Sequence, residues 1–179
     1  LLSKSLGEGN RERANRAAGN GILLTLIITV LFMLFGFFLA KPYYAMQSDV
    51  AETVEGGAAY TAICCIFTLG IFVEILGERL LQASGRTVYT LFTQGVGAVV
   101  NIILDPILIF GWFGLPKMGI AGAAVATVIG QWVAAIMAVI FNLTKNPDVT
   151  FAPRYLKPNK DIIRKILSVG VPSIIMMAL

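Results

Sequence analysis

The chain has 179 residues, of which 57% are hydrophobic and 13% charged, and its mean hydropathy is +0.81. Soluble domains carry about 25% charged residues, so a soluble globular fold is excluded, and the unit of organisation becomes a membrane span of about 20 apolar residues. With no His the chain also lacks imidazole acid–base chemistry and the commonest metal ligand.

In chain order, residues 3–19 (SKSLGEGNRERANRAAG) read as a turn with Gly7 and Gly9, an N-cap at Asn10 and a short basic helix. Gly21–Ala40 holds no charge over 20 positions and predicts the first spanning helix, at about 21–40. The connection 41–57 carries Asp49, Glu52 and Glu55. Uncharged runs then predict helices at about 58–82, 88–112 and 119–143, and a fifth beginning near 162. Cys64 and Cys65 are adjacent inside an apolar run, where they read as small buried hydrophobes and not as a disulfide or zinc framework. The segment 144–161 contains Pro147, Pro153 and Pro158 and is expected to be extended for much of its length. Its tail, Lys157–Leu167, has the pattern of a short interfacial helix, and Pro172 lies inside the fifth helix. The chain begins at Leu1 without Met and ends inside an apolar run, so it reads as a segment of a longer membrane protein.

Charge orients these helices. Segments on one side carry Lys4, Arg11, Arg13, Arg16, Arg79, Arg86, Lys145, Arg154, Lys157, Lys160, Arg164 and Lys165, whereas the other side has only Lys41 and Lys117. By the positive-inside rule the first side is cytoplasmic. The net charge of +4 is therefore a topology signal. A nucleic-acid partner is not expected, because no aromatic residues interleave the basic clusters. Tyr43, Tyr44, Trp112 and Phe113 fall at helix ends on the outer side, as an aromatic belt does.

Gly122, Ala126, Gly130 and Ala134 recur every four residues and offer a face for close helix approach. Polar residues inside spans are costly, roughly 2.5–3.5 kcal/mol for a carboxylate at the bilayer centre. Asp105 is such a residue, with Asn101 four positions earlier on the same helix face. Counting depth from the helix ends puts Thr127, on the next helix, level with Asp105, and Gln131 one turn below Thr127. A carboxylate, an amide oxygen and a hydroxyl suit a hard cation or a protonatable carboxyl. In the competing reading, Asp105–Pro106 marks a kink while Asn101 and Thr127 make packing hydrogen bonds. Glu74 is a second intramembrane carboxylate, open to a protonation role or to pairing with a cytoplasmic Arg. Glu78 is expected at the surface beside Arg79. Gln94, like Gln47 and Gln82, is ambiguous. No nucleophile–base pair and no metal set is found, so an enzyme is not expected, and no cofactor is implied beyond sodium or a proton.

The stretch 85–131, with NIILDPILIFG followed by GIAGAAVAT, resembles the multidrug and toxic compound extrusion (MATE) family. SKSLGEGNRERANRAAG is similar to that family's loop between its second and third helices, and IIRKILSVGVPS to the start of its seventh. The resemblance implies an all-α, polytopic membrane protein. Residues 1–143 would form part of the N-terminal lobe of a twelve-helix transporter, 144–161 the cytoplasmic inter-lobe linker and 162–179 the start of the C-terminal lobe. It also implies an antiporter in the cytoplasmic membrane that exports organic, often cationic, compounds against sodium or protons. Its partners would be the lipid bilayer and the remainder of the same transporter. In the family, a cation site joins a first-helix aspartate to Asn, Asp and Thr on the fifth and sixth helices. Asn101, Asp105 and Thr127 match the last three, while the first helix lies outside this sequence. A related lipid-linked oligosaccharide flippase and a membrane scaffold without transport are the competing functions. The flippase needs a basic cavity for its pyrophosphate, and no Lys or Arg lies well inside a span.

Overall fold

The computed structural model describes residues 1–178. Asn10 starts the first long helix: its side chain accepts a bond from the backbone N–H of Arg13 at 2.9 Å, satisfying one of the donors a helix N-terminus leaves free. That helix, α2 (Arg11–Phe38), follows a short α1 (Leu2–Gly7). It begins ten residues before the expected 21, because the basic segment and the apolar segment form one uninterrupted helix. α3 (Ala40–Ala45) caps its far end, and α4 (Ala51–Ile66) and α5 (Leu69–Ala83) return. The single helix expected at 58–82 is instead broken at Phe67–Thr68, where α4 and α5 meet at a bend of 52°. Beyond the bend, Gly70 lies against the Trp132 ring, where a Cβ would sit 2.8 Å from Cδ1. α6 (Thr87–Phe110), α7 (Ile120–Lys145) and α8 (Lys160–Ala178) complete the chain, with 3-10 turns at Trp112–Gly114 and Pro153–Leu156. Among the described residues there is no strand. α2, α6 and α7 are each long and apolar enough to cross a membrane, and the bent α4–α5 pair is so when its two helices are taken together.

α7 is the centre of the bundle and packs against α4, α5 and α6. Its interior face is made of small residues: Ala124, Ala126, Ala134, Ala135 and Ala138 are all buried. Large side chains such as Phe37, Phe38, Leu91 and Ile102 point outward. This inverts the soluble pattern, because lipid is as apolar as leucine and helices associate through close backbone approach and hydrogen bonds instead. Asn142 supplies one such bond, donating to the Gly77 carbonyl of α5 at 2.8 Å.

Residues 146–159 are strapped across the end of the bundle where α2 begins and α7 ends. Asn15 accepts from the Thr150 N–H and Asn20 from the Asn159 N–H, each at 2.8 Å. Gly19 leaves room for the Tyr155 backbone, which a Cβ would strike. Arg86 pairs with Asp148, which also meets Arg11 at 3.8 Å. The expected Lys157–Leu167 interfacial helix is absent as a separate element. Asn159 caps α8 directly, its Oδ1 accepting from the Ile162 N–H at 3.2 Å, and α8 continues through Pro172.

Candidate functional site

The crossing of α6 and α7 fixes the site. Two glycines face each other there: a Cβ on Gly130 would lie 2.8 Å from the Gly97 carbonyl oxygen and 3.3 Å from the Asn101 Cβ. Further out, Gly122 sits against the Leu108 carbonyl. The face spaced by four residues is therefore the α6–α7 seam, and Gly122, Ala126, Gly130 and Ala134 are all buried on it.

Across this seam Asn101 Nδ2 donates to Thr127 Oγ1 at 3.4 Å, and Thr127 in turn donates to the Ala123 carbonyl at 2.9 Å. Asn101, rather than Asp105, is thus the residue level with Thr127. The physical reason lies in the turn. Gly111 takes a left-handed conformation at φ 74°, and the chain folds back so that Met118 and Gly119 donate to the Leu108 and Ile109 carbonyls at 3.1 and 3.2 Å. α6 ends at Phe110, and α7 starts level with residues 108–109, not with the expected helix end at 112. Counting depth from both helix ends misplaces the register by one turn.

Asp105 is left one turn nearer the α6–α7 turn. Its Oδ1 is inaccessible and has no hydrogen-bond partner among the described residues. Next to it, Pro106 lies inside α6 and has no N–H to offer the Ile102 carbonyl one turn earlier. A buried carboxylate oxygen without a donor is unfavourable unless a proton, a cation or a donor reaches it.

On the other side of the Asn101–Thr127 pair is a cavity of about 210 Å³ lined by Glu74, Gln94, Asn101, Thr127 and Gln131, with Gly97, Ala98 and Gly130 forming its floor. Four of the sequence-predicted residues are thus brought together: Asn101, Thr127, Glu74 and Gln131. Asp105 is not on this lining. Gln94, whose role the sequence leaves ambiguous, joins them on this lining. It lies seven positions before Asn101, two turns along the same face, and that spacing was its signal.

Glu78 departs from expectation. It does not pair with Arg79, which bonds Gln82 at 2.8 Å instead. Only 6% of Glu78 is exposed. Its carboxylate accepts from Thr93 Oγ1 at 2.7 Å and from Gln94 Nε2 at 2.9 Å. The bend at Phe67–Thr68 turns α5 so that this face looks at α6, and no sequence pattern encodes that rotation.

The chain's residues 1–107 match the family model MatE. The chain belongs to the MATE family. A Bacillus subtilis protein named "Probable multidrug resistance protein YoeA" is 28% identical over the whole chain, which spans 39% of that protein's length. A solved structure titled as the inward-facing conformation of a multidrug resistance MATE family transporter superposes with a TM-score of 0.85 at 25% identity, over 96% of this chain and 38% of that one. Its outward-facing counterpart gives 0.87 at 24% identity, with the same coverage. The chain spans about two fifths of the relatives it matches. It is an all-helical, multi-pass integral membrane protein with the fold of a MATE N-terminal lobe.

Proposed function

We propose that this MATE chain is the N-lobe portion of an antiporter of the cytoplasmic membrane that exports organic, often cationic, compounds against sodium or protons. The observation that carries the reading is the cavity beside the Asn101–Thr127 bond. It gathers a carboxylate, three amides and a hydroxyl in an apolar bundle, and intramembrane polar groups are retained mainly for function. It holds no Lys or Arg among the described residues, which favours a cation over the pyrophosphate of a lipid-linked oligosaccharide. No enzyme chemistry enters this reading.

Asp105, Asn101 and Thr127 are the residues assigned to the coupling ion. A proton or sodium ion neutralises Asp105 and supplies the partner its buried oxygen lacks; releasing the ion restores a charge that the lobe must accommodate by a shift of its helices. Alternating access then rocks this lobe against the rest of the transporter. The near-equal likeness to inward-facing and outward-facing structures supports a lobe that moves as a unit.

The test is Asp105→Asn in the full-length transporter, with dye efflux driven separately by a pH step and by a sodium gradient. Coupled efflux is expected to be lost while protein level holds. Undiminished efflux under both gradients would remove Asp105 from the mechanism.

A further inference from the structure

The contact between buried Glu78 and Gln94 has a consequence for the cavity next to it. Gln94 stands at the lining, and its Nε2 is held by Glu78 Oε2 at 2.9 Å. The Gln94 amide meets Glu78 through its NH2 group, which donates to that oxygen. The geminal carbonyl oxygen is then directed away from Glu78. Two turns along α6, Asn101 donates one N–H of its Nδ2 to Thr127, and its Oδ1 is the acceptor that remains on that amide. Two amide carbonyls on one face of α6, with Glu74 opposite on α5, give the cavity an acceptor character that suits a positively charged group.

We propose that Gln94 is a ligand for the cationic group of the substrate and that Glu78 is its positioning residue, fixing the amide carbonyl-inward. This rests on the reading of the cavity as a cation site. Glu78 is itself clamped from its other oxygen. Thr93 Oγ1 lies 2.7 Å from Glu78 and 2.9 Å from the Thr90 carbonyl. A hydroxyl has one proton, so it serves one of these at a time. A glutamine at position 78 fits the same frame: its carbonyl accepts from Gln94, its NH2 donates to Thr93 Oγ1, and Thr93 donates to Thr90. The positioning role therefore needs the acceptor oxygen and not the charge.

The experiment uses the full-length transporter in membrane vesicles with ethidium as the cationic probe, reading KM and maximal rate. Gln94→Ala and Glu78→Met are each expected to raise KM about fivefold, the scale of one hydrogen bond. The double variant is expected to be no worse than Gln94→Ala alone, because both remove the same contact. Glu78→Gln is expected to restore KM to within about twofold of the parent. Multiplying effects in the double variant, or a Glu78→Gln variant as impaired as Glu78→Met, would overturn the proposal. If Glu78→Met does not fold, the swapped pair Glu78→Gln with Gln94→Glu decides: the contact and an inward oxygen are kept, so KM should stay at or below the parent value, and a rise of about fivefold would overturn it. Asn101→Ala separates the two levels. A raised KM there with an unchanged Gln94→Ala refutes Gln94 alone, whereas no effect from either refutes the cation cavity itself.

Discussion

Gly130 controls the Asn101–Thr127 bond through a distance that can be worked out. A methyl group at this position would stand 2.8 Å from the Gly97 carbonyl oxygen, and ordinary carbon–oxygen contacts begin near about 3.4 Å. α7 must therefore retreat from α6 by about 0.6 Å in Gly130→Ala. The Asn101–Thr127 bond is already 3.4 Å long, so that retreat takes it to about 4 Å and beyond hydrogen-bonding range. Overpacking and the lost bond outweigh the gain in helix propensity, for a net cost of about 2 kcal/mol. Gly97→Ala is milder, since its Cβ would be 3.0 Å from the Ala134 methyl and 3.1 Å from the Gly130 carbonyl. Gly95, on the same helix, has nothing within 4 Å, and its replacement by Ala should be neutral or slightly stabilising. Thermal unfolding in detergent and dye efflux from cells should both rank Gly95→Ala above Gly97→Ala above Gly130→Ala. A Gly130→Ala protein with parental stability and efflux would refute the argument that the glycine crossing sets the site.

Two predictions concern the strap at 146–159. Asn20 is fully buried and joins the Arg16 carbonyl to the Asn159 N–H, so Asn20→Ala should cost about 1–3 kcal/mol and release the strap, read as faster tryptic cleavage at Arg154. Asp148 is only partly exposed and meets both Arg86 and Arg11, yet Arg86 keeps the Asn146 side chain and the Ser84 carbonyl. Asp148→Asn should therefore cost no more than about 1 kcal/mol, with a difference from the parent that shrinks as salt is raised.

Much of the fold was legible because the bilayer enforces simple rules. Apolar length locates helices. The four-residue spacing of Gly122, Ala126, Gly130 and Ala134 marked the seam, and Asn101 and Thr127, which meet across it, stood out because polar groups inside spans are expensive. The residues of 85–131 also carried the family resemblance. Tertiary structure decided what periodicity cannot reach. The fold-back of Met118 and Gly119 onto α6 shifted the register by one turn and paired Thr127 with Asn101, leaving the Asp105 oxygen unpartnered. The bend at Phe67–Thr68 rotated Glu78 from a supposed surface position into contact with Thr93 and Gln94. Both depend on bonds and helix rotation between successive elements, joining residues ten to sixteen positions apart. Local pattern records which face of a helix is polar, but not which neighbour that face meets.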